Sequence, residues 1–413
     1  MLNKDNQREL AYVVEIDWIE PIEGADNIEL VGINGWTCIA KKGEFKPHDL
    51  AVYFEIDSKL PEEEWAAFLA PKHYKVKTMK LGKFNVISQG LALPADAFGW
   101  ENTTSGQFAG DEPIIKTPEG KTFIKGDFLT KELNVKYSVD EDNKRKAPSV
   151  NKYKAMADKF PKVFSKPSVR WLMKRNWGKR IMYLLYGNKV KVKEWPFWVT
   201  KTDEERVENM PWILKNKEEW FATEKIDGTS TTFTMRRGRG FKAPEYHVCS
   251  RNVTFAFPKN VDRCYYDTNV YLEMAEKYNI KEVLWKMLEL DNSLEFVTIQ
   301  GETYGAGVQK RDYSMKNHDL AVFNVIFGYR DGYKVRLNPH AMKEQMDNYN
   351  IPCVPILDEH FVLPDTIDEL RAYVNSKTSE VDGKMREGIV FRSYDATQSF
   401  KCVSPEYLLK YHS

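Results

Sequence analysis

Between Leu10 and Phe54 the chain is divided into short apolar runs, each ended by turn chemistry before a helix could complete two turns. Leu10-Ala11-Tyr12-Val13-Val14 is followed by Pro21 and Gly24-Ala25-Asp26, then by Ile28-Glu29-Leu30-Val31. Asn34-Gly35 is a strong hairpin signal, and Trp36-Thr37-Cys38-Ile39-Ala40 returns from it. Gly43-Glu44-Phe45-Lys46-Pro47 turns the chain again before Leu50-Ala51-Val52-Tyr53-Phe54. Short strands at regular spacing, continuing to about residue 130 without helices, predict a small closed β-barrel.

With 413 residues the chain has length for two or three domains. Hydrophobic residues at 42% and charged residues at 29% fit a soluble globular protein. No apolar run reaches the roughly 18 residues a membrane span needs, and the first residues lack a signal-peptide stretch. The five cysteines (Cys38, Cys249, Cys264, Cys353, Cys402) are scattered, without a C-x-x-C pair, and no two histidines stand in H-x-x-x-H spacing. A disulfide framework and a thiolate zinc site are therefore not expected, and the setting read from this is reducing and intracellular, that is cytoplasmic. No membrane partner is expected, and the oligomeric state stays open with a monomer favoured.

A net charge of +1 conceals an asymmetry. From Asn143 to Lys193 there are sixteen Lys and Arg against one acid, Asp158, so this stretch carries +15 and the rest −14. Such a segment is either a phosphate-backbone contact or a solvated connector. Trp171, Trp177, Tyr183 and Tyr186 are interleaved with the charge. Rings in that company can stack on bases, but at helical spacing they are more often a buried face, which is the expectation adopted here. Helical stretches such as Val169 to Arg175 are broken by Pro148, Pro161, Pro167 and Gly178.

From Glu194 onward strands alternate with helices. Glu218–Thr223, Tyr246–Ser250, Phe296–Gln300, Ala321–Phe327 and Gly388–Arg392 read as strands. Asn269–Leu290 reads as a helix interrupted near Asn279, and Asp368–Val374 as a short one. The whole is α+β, divided as 1–133 (barrel), 134–193 (basic helical linker or insertion) and 194–413 (one mixed domain of antiparallel sheets and helices).

Glu224-Lys225-Ile226-Asp227-Gly228 is the first stretch that carries chemistry. Lys-x-Asp-Gly arises by chance in about one chain in ten of this length, so alone it decides little. Its physical sense is a lysine at a strand end, with Gly228 letting a nucleotide approach the backbone. An amine of reference pKa about 10.4 attacks only when deprotonated, and a nearby metal or second lysine would lower that value. Downstream stand Gly301-Glu302-Thr303-Tyr304-Gly305, Val322-Phe323-Asn324-Val325, Arg386-Glu387-Gly388-Ile389-Val390 and Ser399-Phe400-Lys401. In order they supply a carboxylate, a flat ring, a second carboxylate and a cation, the parts a nucleotidyl transfer from ATP needs.

In that order of motifs the chain from Trp195 onward resembles the covalent nucleotidyltransferase superfamily of RNA ligases, DNA ligases and mRNA capping enzymes. Ile16–Leu60 resembles the OB-fold modules of tRNA-binding proteins. A β module ahead of the catalytic part, the run Trp195-Pro196-Phe197-Trp198-Val199-Thr200-Lys201-Thr202-Asp203-Glu204-Glu205-Arg206, the Ser88-Gln89-Gly90-Leu91 turn and the Tyr407-Leu408-Leu409-Lys410 ending together resemble the fifth family of RNA ligases. Lys401 lies twelve residues before Ser413, which leaves no room for the C-terminal OB domain of DNA ligases and capping enzymes.

That resemblance implies an OB-like barrel followed by a nucleotidyltransferase (ATP-grasp-like ligase core) domain. It also implies ATP-dependent joining of RNA 3′-hydroxyl and 5′-phosphate ends, at nicks in duplexes whose 3′-hydroxyl strand is RNA. Lys225 would carry AMP as a phosphoramidate. Asp227, Glu302 and Glu387 would organise Mg²⁺ or Mn²⁺ through its water shell or hold the ribose. Arg251 would contact the ribose or the RNA end, Phe323 would stack on adenine, Glu224 would read its edge and Lys401 would grip the α-phosphate. The last motif reads Lys401-Cys402-Val403 where many relatives have Lys-x-Lys, so a second phosphate-contacting lysine is missing by spacing, and Lys410 is too distant to inherit the role. The rival readings are an mRNA guanylyltransferase and a non-catalytic RNA-binding protein on the same fold.

Overall fold

The computed structural model describes residues 8–104, 112–137, 156, 160–186, 195–200, 203–238, 240, 243–251, 254–255 and 269–411. Much of the basic stretch, from 143 to 155 and from 187 to 193, and Asn252 beside Arg251, lie outside the described residues.

The N-terminal strands are β1 (Ala11–Glu15), β2 (Trp18–Pro21), β3 (Ile28–Ile33), β4 (Trp36–Lys41), β5 (Leu50–Phe54) and β6 (Leu91–Pro94). They pair as two antiparallel three-stranded sheets, β1-β5-β6 and β2-β3-β4. Every residue of β5 is buried, because the sheet is covered on both faces. Alternation sends Tyr12, Val14, Ala51 and Tyr53 toward Val31, Ile33, Trp36 and Cys38. It sends Ala11, Val13, Val52 and Phe54 into a second cluster with Leu60 and Leu69. The Ser88–Leu91 turn is held by the Tyr53 hydroxyl, which donates to the Gln89 carbonyl at 2.8 Å. Gly90 there has φ +113, and a Cβ would lie 2.4 Å from that hydroxyl, so only glycine fits. The all-strand reading missed a 3₁₀ helix at Glu64–Lys72, which contains Pro71.

Among the described residues of the basic stretch, α1 (Pro161–Phe164), α2 (Pro167–Met173) and α3 (Asn176–Tyr186) follow. They close on Phe164 and Met182, with Tyr183 and Tyr186 packed beside them. Trp171 and Trp177 do not join this core: they are 53% and 52% exposed, contrary to the buried face expected of them.

From residue 205 onward the strands among the described residues are β7 (Glu205–Arg206), β8 (Glu219–Lys225), β9 (Thr229–Arg236), β10 (Glu245–Cys249), β11 (Thr254–Phe255), β12 (Leu294–Gly305), β13 (His318–Tyr329), β14 (Lys334–Arg336), β15 (Ile356–Val362), β16 (Gly388–Ser393) and β17 (Ser399–Val403). They form a five-stranded sheet ordered β7-β17-β16-β8-β15 and a six-stranded sheet ordered β11-β10-β9-β12-β13-β14. Helices α4 (Val270–Lys277) and α5 (Ile280–Leu290) back the larger sheet through Met274, Leu284, Met287 and Leu288. Asn279 between them takes a left-handed conformation with φ 47, the interruption expected there. Helix α6 (Pro339–Asp347) adds Met342 and Met346 to the same core, and α7 (Ile367–Asn375) covers the smaller sheet through Leu370 and Val374. The last helix is α8 (Pro405–Tyr411).

One connection fixes the function-bearing geometry. β8 belongs to one sheet and β9 to the other, and only Ile226-Asp227-Gly228 joins them. The chain changes sheets within three residues, so the end of β8 opens into the cleft between the sheets.

Candidate active site

Lys225 is the last residue of β8, in register with Gly388 at the start of β16. Glu387 therefore sits directly across from it, and both of its carboxylate oxygens lie 2.7 Å from Lys225 Nζ. Glu302 reaches the same cleft from β12, where it pairs with Ser230 of β9. Together with Lys225, Asp227, Gly228, Glu224, Arg251, Phe323 and Lys401, it lines a cavity of about 380 Å³ between the sheets. That volume falls within the range of small-ligand sites.

Burial by itself would push the Lys225 ammonium down, but Glu387, Glu302 and Asp227 outweigh it and hold the group above its ordinary value. This departs from the expectation of a lysine lowered by a neighbouring cation. In the free protein the amine is charged and clamped, and becoming a nucleophile requires that the carboxylates be neutralised first. Glu302 is the counterpart. Burial pushes its carboxyl up to about 8, Lys225 opposes the rise, and the charges of Glu387 and Asp227 add to it.

Asp227 is 5% exposed, and one of its oxygens accepts a hydrogen bond from the Tyr407 hydroxyl at 2.8 Å. Its backbone N–H donates to the Tyr313 hydroxyl at 2.7 Å. Arg311 lies 4.0 Å above the Tyr313 ring and is paired with Asp382 at 2.5 Å. The Ile226–Gly228 turn is thus braced from α8 and from the 311–313 loop. Glu224, also buried, accepts from the Ser379 hydroxyl at 2.5 Å and from the Glu380 N–H at 2.8 Å. Both oxygens are engaged, so an adenine contact from Glu224 would use the acceptor sites that these two bonds leave open.

Gly228 has a different reason from the one its sequence suggested. A Cβ there would stand 2.3 Å from the Thr303 carbonyl oxygen and 3.0 Å from Glu302 Cγ. The close neighbour is the β12 backbone, so the glycine is required even before a nucleotide arrives.

The other end of the cavity is basic. Lys401 Nζ is 3.2 Å from one Asp203 oxygen, and Arg251 Nη2 is 2.5 Å from the other. Burial pushes Lys401 below the usual lysine value, Asp203 opposes this, and Lys225 adds to the lowering. Asp203 was not singled out from the sequence, although it stands in the run ahead of the nucleophile. That run is fixed upstream by the Trp198 indole, which donates to the Thr234 hydroxyl at 3.1 Å, and by Gln300, which donates to the Thr200 carbonyl at 3.0 Å. Arg392, likewise not singled out, lines the cavity and donates to the Phe323 carbonyl at 2.9 Å. Glu204 sits beside Arg392 at 3.4 Å and accepts from the Ser399 hydroxyl. Phe323, Ile226, Val354 and Val390 supply the apolar wall. Val403, at the position of the missing lysine, is 3% exposed.

Among the described residues no three His, Cys, Asp or Glu side chains come together as a metal cage. Asp227, Glu302 and Glu387 therefore do not form a direct three-carboxylate ligand set in this arrangement. The donor chemistry still fits a hard cation. Glu302 has no hydrogen-bond donor among the described residues, and Mg²⁺ is usually held by one or two carboxylates together with phosphate oxygens and water.

A family model for an OB-fold domain matches residues 10–95, and one described as RNA ligase matches residues 218–412. No curated protein matches the sequence. Among solved structures, the chain is similar to a Naegleria gruberi RNA ligase variant with ATP and Mn, at 25% identity and a TM-score of 0.62, covering 98% of this chain and 99% of that one. It is similar to the same ligase with pyrophosphate (25%, TM-score 0.60, 98% and 99% covered). The match to a further variant with AMP and Mn is of the same order (26%, TM-score 0.62, 98% and 99%). No helix among the described residues is long and apolar enough to cross a membrane. An OB fold followed by two sheets that place an amine against carboxylates in a nucleotide-sized cleft, with matches running nearly end to end, makes this chain a nucleotidyltransferase-type RNA ligase with an N-terminal OB-fold domain.

Proposed function

We propose that this ATP-dependent RNA ligase seals nicks in duplexes whose 3′-hydroxyl strand is RNA, and that Lys225 is the residue that carries AMP. The observation that carries the residue assignment is the Lys225–Glu387 contact at 2.7 Å, made by a lysine that lines one cavity together with Lys401 and Arg251. The cleft is acidic where the amine sits and basic where a phosphate chain would extend.

In the first step Lys225 gives up a proton, for which Glu387 is the acceptor within reach, and its amine attacks the α-phosphorus of ATP. A P–N bond forms, the bond to the β-phosphate oxygen breaks, and pyrophosphate leaves. Lys401 and Arg251 hold phosphate charge once released from Asp203, and Phe323 with Val354 and Val390 flanks the base. In the second step a 5′-phosphate oxygen of the RNA displaces Lys225 from phosphorus. In the third the 3′-hydroxyl oxygen attacks the activated 5′-phosphate and expels AMP. Glu302 and Glu387 would hold a divalent cation, directly or through its waters, with Asp227 behind them. Such a cation supplies positive charge against the carboxylates and the α-phosphate.

The test is incubation with ATP labelled on the α-phosphate, followed by denaturing gels. Wild-type protein should retain label, and Lys225→Ala should retain none. Undiminished label in that variant sinks the assignment. Sealing assays on matched RNA and DNA nicks, with the 3′ end varied, test the substrate.

A further inference from the structure

The helical unit at residues 160–186 has no role in the chemistry above, yet it presents a surface unlike the rest of the chain. Its inward side is accounted for by Phe164, Met182, Leu172 and Tyr186. Gly178 brings α3 against the end of α2 so closely that a Cβ would lie 2.0 Å from the Leu172 carbonyl oxygen. The outward side is not accounted for. Trp171, Trp177, Ile181, Leu184 and Leu185 are all exposed, Leu184 by 76%. Positions 177, 181, 184 and 185 fall on one stripe of α3, and Trp171 of α2 extends it. Around the stripe the sequence from 160 to 186 holds seven Lys and Arg and no Asp or Glu. The Arg175 guanidinium lies 3.6 Å over the Trp171 ring, and Trp171 meets Trp177 edge to face with centroids 6.4 Å apart.

From these observations we infer that the outer face of α2 and α3 is an RNA-docking surface, which holds the phosphate backbone of the nucleic acid while its ends are in the active site. This rests on the RNA ligase reading of the chain. Charge complementarity selects the occupant. A helical unit with seven cations and no acid in its sequence repels basic partners and gains little from neutral ones, and the one polyanion this enzyme must bind is its substrate. The rings suit the same occupant. An indole faced by a guanidinium forms a flat, cationic platform of the kind on which bases and sugar edges stack. Arg170, Lys174 and Arg180 are exposed in the same helical unit and so are open to phosphates, while Arg175 adds its charge to the platform itself.

The magnitude follows from counterion release. If about four of the seven cations neutralise phosphates, binding falls with a log–log salt slope near −3.6, on the order of a hundredfold between 50 and 200 mM salt. The experiment compares full-length wild type, a charge variant (Arg170→Gln, Lys174→Gln, Arg175→Gln, Arg180→Gln) and a ring variant (Trp171→Ala with Trp177→Ala). Each is titrated with a nicked RNA duplex at several salt concentrations. All the changed side chains are exposed, and lysyl–AMP formation from ATP alone reports on the rest of the molecule.

The expected result is unchanged adenylylation in all three proteins. The charge variant should bind at least tenfold more weakly at 50 mM salt, with a slope shallower by three to four. The ring variant should bind more weakly with its slope unchanged. Unaltered RNA affinity and slope in the charge variant would overturn the proposal. So would a face that instead binds phosphatidylserine vesicles, or holds two copies of the chain together, while RNA affinity stays constant in both variants. Failure of wild type to form lysyl–AMP would instead remove the ligase reading itself, which keeps the two failures distinct.

Discussion

Substitution of Gly228 by alanine is the sharpest probe of how the fold sets up the cleft. The glycine has backbone angles that any residue could adopt, so strain in φ is not the issue. The obstacle is space: the new Cβ would meet the Thr303 carbonyl oxygen at 2.3 Å and Glu302 Cγ at 3.0 Å. An ordinary carbon–oxygen contact is about 3.3 Å, so roughly 1 Å of separation must be found. Strand β12 cannot yield it, because it is hydrogen-bonded to β9 on one side and to β13 on the other. The Ile226–Gly228 turn must therefore lift, taking Lys225 away from Glu302. A displacement of about 1 Å between reacting groups costs on the order of a hundredfold in rate, or about 2.7 kcal/mol. Overpacking should also destabilise the fold by about 1–3 kcal/mol. The assay is single-turnover formation of lysyl–AMP at saturating ATP, with thermal melting alongside. Gly82→Ala, whose Cβ would meet nothing within 4 Å, is the control and should match wild type. If glycine were needed only for nucleotide approach, the alanine variant would show a raised KM and an unchanged melting temperature. A saturated rate within threefold of wild type would refute the reasoning.

Three further outcomes follow from the same cleft. Glu302 has its folded-state carboxyl raised to about 8, so between its unfolded value near 4.5 and pH 8 the native state binds the extra proton. Stability of the cation-free protein should fall as pH rises through that window, Mg²⁺ or Mn²⁺ should restore it most strongly above pH 8, and Glu302→Gln should abolish both trends in melting curves. Tyr407→Phe removes a 2.8 Å hydrogen bond to the buried Asp227 carboxylate, a loss of about 1.5–3 kcal/mol. It should lower the melting temperature and slow adenylylation about tenfold with little change in KM for ATP; an unchanged rate would deny α8 its bracing role. Asp203→Asn removes the anion that competes with the phosphates of ATP for Lys401 and Arg251. Because Asp203 and Arg251 are largely exposed, the gain is at most about 1 kcal/mol, a KM for ATP lowered up to fivefold at low salt and indistinguishable from wild type near 1 M. A raised KM would show that Asp203 assists binding instead.

What the sequence disclosed and what it withheld divide along a physical line. Lys225, Glu302, Glu387 and Lys401 were legible because each stands in a short local pattern and the patterns occur in order. Their mutual geometry was not, since Lys225 and Glu387 meet across 162 positions by strand pairing alone. Asp203 lay in a run already singled out, but its chemistry depends on Arg251 and Lys401, which are 48 and 198 positions away. The break at Asn279 was visible because a left-handed residue is a local event. The orientation of Trp171 and Trp177 was not, because helical spacing defines a stripe without saying whether the stripe faces a core. Gly228 shows the same division: its necessity was readable, whereas the neighbour that imposes it comes from another strand.

With Lys225 as the proposed nucleophile, the polarity of the cleft accounts for an amine that is protonated at rest and still available for attack. At one end three carboxylates crowd Lys225 and keep its proton. At the other, Lys401 and Arg251 are tied to Asp203. In the free protein each half holds its excess charge against a partner of opposite sign, and each such partner is a side chain that can be exchanged for something ATP brings. The phosphates can replace Asp203 on the two cations, and the cation that accompanies them can replace Lys225 as partner of the carboxylates. On that account ATP releases the nucleophile only when it arrives with its counter-ion, and substrate binding and lysine activation become one event. The order is testable in the proton balance. Cation-bound α,β-methylene ATP, which Lys225 cannot cleave, should release protons from the wild-type protein on binding and fewer from Lys225→Met, whereas the cation-free analogue should release fewer from wild type.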